Sequence, residues 1–212
     1  IVVRTIAPLL VDKYRDPAVV VCDELGRFAI SLIFGHLGGA NALAQQVATA
    51  TGGQAVLTTA SDVLGKTALD LWCRDVGLTP VDKAGFTRAM GRLVDRGTLT
   101  IWSRIALGKL PEDLVAVADR SCADLIVDYR INTRDHGTQL VPKALVMGVG
   151  CNRGTPKEVI AAAIQATCDQ HQLQSAAIAR LASIDLKADE VGLLDYAAER
   201  GLFYPVDFAS SG

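Results

Sequence analysis

Apolar residues fall in short runs separated by glycine-bearing polar breaks, and the spacing within the runs changes along the chain. Ile1 to Val11 is largely apolar and stops at a polar break, Asp12 to Pro17. Ala18 to Cys22 is continuous and valine-rich, which predicts a strand buried on both faces. Asp23 to Arg27 has the length and glycine of a hairpin connection, and Phe28 to Phe34 is strand-like, so the two runs predict an antiparallel pair. Gly35 to Asn41 follows as a glycine-rich turn. Ala42, Leu43, Ala44, Val47 and Ala48 then recur at helical spacing until Gly52-Gly53. With a strand predicted over 54–59, residues 28–59 form a strand, helix, strand unit, long enough in its crossover for a right-handed parallel connection.

Beyond Ser61-Asp62 the pattern changes. Residues 68–76 and 83–95 read as amphipathic helices separated by Gly77 to Pro80. Thr98 to Trp102 alternates like a strand with one solvated face, and short runs follow at 114–118 and 123–131. From Leu140 the alternation is regular: strand 140–149, helix 156–170, strand 175–184, helix 187–200 closed by Gly201, and a strand from Leu202. The expected class is α/β, as two or three small α/β segments: 1–61, a smaller mixed segment over 62–139 that is inserted or linking, and a βαβαβ unit over 140–212. In such sheets ligands bind outside the carboxyl ends of the strands, which here means Gly150 to Thr155.

Met147 to Glu158 is the most specified stretch. Glycines at 148, 150 and 154 permit a sharp turn and close ligand approach. Thr155 suits the N-cap, Pro156 the first helical position, and Glu158 a reach back to the cap amide. Open amides, the helix dipole and the Arg153 fork together point to an anion site, the alternative being a tight turn whose glycines serve only close packing. The dinucleotide fingerprint fails, because Arg153 stands at its sixth position, and no glycine-lysine-serine or glycine-lysine-threonine follows to make a P-loop.

Composition narrows the class. Half of the 212 residues are hydrophobic and the mean hydropathy is +0.29, yet no run approaches the roughly 18 apolar residues of a membrane helix. A net charge of −2 and a pI near 5.9 give no support for nucleic acid. The five cysteines, at 22, 73, 122, 151 and 168, form no CxxC pair, which argues against a disulfide framework or thiolate zinc site and for a reducing, cytoplasmic home. No signal peptide is evident, and the chain is expected to be a piece of a longer protein, since it starts at Ile1 within an apolar segment.

Several side chains carry chemistry. His36 lies in the first glycine turn, where a histidine serves as general base, as hydrogen-bond donor or as a helix-entrance residue. Asn41 serves as a cap or as a ligand contact. Cys151 sits beside a helix N-terminus and Arg153, both of which lower thiol pKa values, although a lone cysteine is more often a small buried residue. Ser61-Asp62 is a candidate to bind a substrate edge, with helix capping as the alternative for Asp62. Asp189-Glu190 fits a first helical turn. His136 and His171 read as surface residues. No Ser-His-Asp triad order emerges, and no histidine or carboxylate cluster has metal-ligand spacing.

Taken together, Ile6 to Leu10, Asp16 to Val21, Ser31 to Asn41 with its GHxGGAN signature, Thr58 to Asp62, and Gly148 to Thr155 with its GxGCxRGT signature resemble the cobalt-precorrin-5A hydrolase family, CbiG. The match runs from near residue 1 to about residue 203. The second signature is shared with a single-domain protein of the aerobic pathway. The resemblance implies a step of anaerobic cobalamin biosynthesis, in which water opens the ring A δ-lactone of cobalt-precorrin-5A and a two-carbon unit leaves as acetaldehyde. No cofactor is implied, because cobalt arrives inside the corrinoid substrate.

The site residues that this implies are His36 and Asn41 as catalytic groups, with Gly35, Gly38, Gly39, Ser61, Asp62, Gly150, Cys151, Asn152, Arg153, Gly154 and Thr155 binding substrate. His36 would activate water or assist proton transfer, turn amides and Asn41 would stabilise the oxyanion, and Arg153 and Thr155 would anchor carboxylates in a cleft shared by the two turns. Relative to the family, the chain lacks the N-terminal opening strand and helix and the last part of the C-terminal domain. Some relatives are fused to a corrin-ring methyltransferase, which leaves room for such a partner. A non-catalytic corrinoid carrier and a generic anion-binding α/β module are the competing readings. Neither nucleic acid nor membrane is expected as a partner, and the pattern leaves the oligomeric state open.

Overall fold

The computed structural model describes residues 1–11, 16–35, 38–57, 64–131, 136–202 and 204. The chain divides into two compact units. One holds Ile1–Val76, Met90–Leu99 and Pro111–Asp113; the other holds Gly77–Ala89, Thr100–Leu110 and Leu114–Gly212. The fold is α/β, as the alternating pattern predicts. No helix among the described residues is long and apolar enough to cross a membrane.

The first unit opens with a short helix α1 (Val2–Ile6) and a three-stranded sheet ordered β1-β2-β3. β1 (Val19–Cys22) and β2 (Phe28–Ile33) are antiparallel, and the connection between them is tied by Asp23. Its carboxylate accepts from the Phe28 amide at 2.9 Å and from Arg27 Nε at 3.0 Å, and these two donors, the amide first, hold it below its ordinary pKa. β3 (Gln54–Val56) lies parallel to β2, with α2 (Ala40–Thr51) as the crossover. Ala40, Ala44 and Ala48 recur every four residues and are buried, and small side chains there let the helix sit close over Ala29. Gly52 at φ +69° ends α2.

β1 departs from expectation. It is an edge strand, half-buried from Val19 to Val21 and exposed at Cys22, rather than covered on both faces. Branched side chains favour the pleated backbone whether or not both faces are covered, so a valine run specifies the strand without specifying its place in the sheet. This unit also contains α3 (Leu69–Asp75), with Leu69 and Cys73 buried; burial pushes the Cys73 thiol up to about 12.

A five-stranded sheet ordered β4-β8-β7-β5-β6 occupies the middle of the chain. Its strands are β4 (Leu78–Pro80), β5 (Leu99–Ser103), β6 (Leu114–Ala116), β7 (Leu125–Val127) and β8 (Thr138–Pro142), and α4 (Lys83–Arg96) joins β4 to β5. β7 is flanked by parallel strands, and all three of its residues are fully buried. Just past β7, Asp128 is 0% exposed and accepts from Arg104 Nε at 2.7 Å, Arg104 Nη2 at 3.0 Å, Arg120 Nη1 at 2.6 Å and the Arg130 amide at 3.0 Å.

Two boundaries differ from the sequence pattern. Gly77 to Pro80 is not merely a helix separator, since 78–80 pairs antiparallel with β8 as an edge strand, a place where proline is tolerated. The run 140–149 is two strands. β8 ends at Pro142, which has no amide for the ladder, and β9 (Leu145–Gly148) pairs instead with β10 (Ile178–Ala182) in a parallel two-stranded sheet.

The C-terminal segment then runs β9, α5 (Lys157–Gln170), β10 and α6 (Val191–Glu199). Ile160, Ile164 and Cys168 from α5 meet Ile178 and Leu181 from β10 and Leu193, Tyr196 and Ala197 from α6 in one core. The helix expected over 187–200 is a 3-10 turn, Asp185–Lys187, followed by α6 four residues later, with Glu190 at the cap. Gly201 at φ +57° follows α6. Of the strand expected from Leu202, Leu202 and Tyr204 pack on this core, while Phe203 and residues 205–212 lie outside the described residues.

Candidate functional site

Each glycine turn is built at the carboxyl end of a parallel strand within its own unit, which is where α/β sheets present ligands. In the first turn Phe34 takes φ +60°, a conformation costly for a bulky residue. A Cβ on Gly38 would lie 2.5 Å from Phe34 Cβ, and Gly39 takes φ +81° at the cap of α2, so neither position accepts a side chain. The amides of Ala40 and Asn41 return to the carbonyls of Phe34 at 3.2 Å and Gly35 at 3.0 Å. Asn41 is not the cap. It stands in the first turn, and its Oδ1 accepts from Ser31 Oγ at 2.6 Å, a serine only 6% exposed on β2. His36, Ser61 and Asp62 lie outside the described residues.

The second turn is tied to α6 by two carboxylates. Gly154, at φ +75°, donates its amide to Glu190 Oε1 at 2.7 Å, and Lys187 Nζ reaches Glu190 Oε2 at 3.3 Å. Glu190 is 3% exposed, so the helix entrance expected to receive an external anion already holds the protein's own. Arg153 Nη1 donates to Asp189 Oδ1 at 2.7 Å and Nη2 to the Leu186 carbonyl at 3.2 Å. Their hydrogen bond and charges raise the Arg153 pKa and hold the Asp189 carboxyl below its ordinary range. Asp189 and Glu190 therefore precede α6 and lock the turn, instead of occupying the first turn of a helix.

Thr155 is likewise not a cap. Its Oγ1 donates to the Asn152 carbonyl at 2.7 Å, Pro156 holds the cap position at ψ 146°, and α5 begins at Lys157 with no side-chain cap bond from Glu158. The threonine closes the turn on itself, which shifts the helix start by one residue.

What remains open is the strand-end side of the turn. Gly148 and Gly150 do not have positive φ, and a Cβ built on either meets nothing within 4 Å. Nothing inside the described chain demands glycine at these two places. They border a depression of about 440 Å³ lined by Gly148, Val149, Gly150, Cys151, Ala182, Ser183, Ile184 and Lys187. Among the described residues no protein acceptor takes the amides of Gly150, Cys151, Asn152 and Arg153. Open amides beside a side-chain-free floor can receive an anionic group carried on a flat ligand.

Ser183, Ile184 and Lys187 were not picked out by the sequence pattern. They follow the carboxyl end of β10, the neighbour of β9, and the strand-end rule applied to both strands finds them. His136 is exposed and His171 follows α5 at the surface.

An α/β chain with glycine turns at its parallel-strand ends thus emerges, and comparison with known proteins places it. Residues 1–62 match the family model described as Cobalamin synthesis G N-terminal, and residues 145–211 the model described as Cobalamin synthesis G C-terminus. The chain belongs to the cobalamin synthesis G (CbiG) family. A relative named cobalt-precorrin-5A hydrolase from Priestia megaterium is 34% identical over 94% of this chain and 59% of its own length. One of the same name from Salmonella typhimurium is 33% identical over 93% of this chain and 60% of its own. The chain therefore spans about 60% of the length of the curated relatives it matches. A crystal structure of a cobalamin biosynthesis protein G homolog from Sulfolobus solfataricus aligns over 96% of this chain and 60% of its own at 18% identity and a TM-score of 0.40, too loose a likeness to place any element.

Proposed function

We propose that this chain is a cobalt-precorrin-5A hydrolase. Water opens the ring A δ-lactone of a cobalt-bearing corrinoid and a two-carbon unit leaves as acetaldehyde, giving cobalt-precorrin-5B. The observation that carries this reading is the alignment along 94% of the chain with a relative of that name. The open depression at the strand ends supports it, because a macrocycle edged with carboxylates needs both a flat, side-chain-free approach and positive groups beside it.

In this reading His36 activates water, and Asn41, oriented through Ser31, joins turn amides in stabilising the oxyanion. The amides of Gly150 to Arg153 meet a substrate carboxylate. Arg153 meets another by exchanging its exposed partner Asp189 for the substrate. Thr155 acts with Arg153 by holding the turn closed. Cobalt belongs to the substrate, no further cofactor takes part, and the protein works in the cytoplasm on a small molecule rather than on nucleic acid or a membrane. A corrin-ring methyltransferase, fused or associated, is the proposed neighbour. Incubating the chain with cobalt-precorrin-5A and assaying acetaldehyde tests the reading; stoichiometric binding without acetaldehyde would make it a carrier.

A further inference from the structure

The depression at the carboxyl ends of β9 and β10 has a rim and floor that differ in kind. The floor is backbone and small side chains. Gly148 pairs in register with Ala182, and both lie on the sheet face turned away from the core contributed by Met147 and Leu181. Gly150 continues the strip beyond the strand end, and neither glycine is required by backbone conformation or by any packing neighbour. Ser183 is held over the strip, its Oγ donating to the Val149 carbonyl at 2.8 Å. One wall is Ile184, an apolar side chain left 63% exposed. Opposite in character is Lys187, a lining residue whose side chain is 13% exposed and whose ammonium lies 3.3 Å from Glu190 Oε2. Arg180 is exposed on the same sheet face, two residues before Ala182.

We propose that this depression seats one flat apolar edge of the corrinoid ring, with Ile184 and Lys187 as the residues that select it: Ile184 against the ring and Lys187 toward a peripheral carboxylate. The inference rests on the proposed function and deepens it. At about 440 Å³ the space lies within the range for drug-sized ligands, and a corrin with its side chains is larger, so the depression takes an edge and not the whole macrocycle. A flat ring edge accounts for both glycines. A purely anionic small ligand would need the amides and the lysine but not the bare floor or the exposed isoleucine.

The test is an absorbance titration of the 212-residue chain with two stable cobalt corrins that share one ring, one carrying free peripheral carboxylates and the other carrying amides in their place. The wild-type chain is expected to bind both, the carboxylate form more tightly. Gly150→Val fills the floor and is expected to weaken both at least tenfold. Ile184→Asp places a negative charge on an already exposed position and is expected to weaken the carboxylate form by a similar factor while sparing the fold. Should Gly150→Val shift the unfolding midpoint, the Ile184→Asp titration decides. Wild-type binding with both variants unchanged would overturn the pocket and leave the function standing, whereas binding of neither ring by the wild type would overturn both.

Discussion

Glu190 accepts the Gly154 amide at 2.7 Å, and through this bond the cap residue of one helix closes the turn that opens another. With only 3% of Glu190 exposed and Lys187 on its second oxygen, the bond is a buried, charge-assisted clasp. Glu190→Ala leaves the Lys187 ammonium and the Gly154 amide without their acceptor. We expect a loss of about 2 kcal/mol or more in urea unfolding. Asp189→Asn, at an exposed pair next door, is expected to leave the midpoint in place. Equal effects from the two substitutions would show that the clasp contributes nothing beyond a surface contact.

Glycines in the C-terminal segment separate into those the fold needs and those it does not. A Cβ on Gly192 would clash with the Thr155 carbonyl oxygen and stand 3.3 Å from the Lys157 amide nitrogen, both backbone atoms that cannot swing aside. Gly192→Ala is therefore expected to cost about 2 kcal/mol or more, by forcing α6 away from the start of α5. Gly148→Ala and Gly150→Ala, with open space before them, are expected to stay within about 0.5 kcal/mol of wild type. Thermal or urea unfolding of the three variants checks the contrast. A large loss at Gly148 or Gly150 would mean that those positions serve the fold rather than a ligand.

Acid sensitivity should trace in part to Asp128. Burial, the largest influence, pushes its carboxyl up, but the Arg104 hydrogen bond, the Arg130 amide and the charges of Arg104 and Arg120 together hold it below its ordinary 3.8. A carboxyl depressed in the folded state adds stability that is fully present above the ordinary value and is lost as pH falls through the folded one. Asp128→Asn should cost about 3 kcal/mol at pH 7, and its deficit against wild type should shrink as pH drops below 3.8. Unfolding midpoints across that range check this; a deficit constant with pH would remove Asp128 from the acid response.

Much of this was legible in the residues, and the reason varies by element. The alanine spacing of α2 and the Gly52 stop specify a helix locally, and the structure has it at Ala40–Thr51. The turn after β9 was legible as a turn because glycine density announces it. Its internal wiring was not, since Glu190 and Asp189 lie some 36 residues away, and only the folded chain shows which of the anion-binding groups they already occupy. The split at Pro142 was hidden for a related reason: apolar residues continue on both sides of it, and pairing partners, not composition, divide one run between two sheets. Ile184 and Lys187 carry no motif and gain meaning only from their place at the end of β10.

The most direct measurement is acetaldehyde released when the purified chain is given cobalt-precorrin-5A. The account predicts release approaching one equivalent per substrate over repeated turnovers, with a large fall in rate for His36→Ala. Tight binding of the corrinoid with no acetaldehyde would contradict it and leave the chain as a carrier.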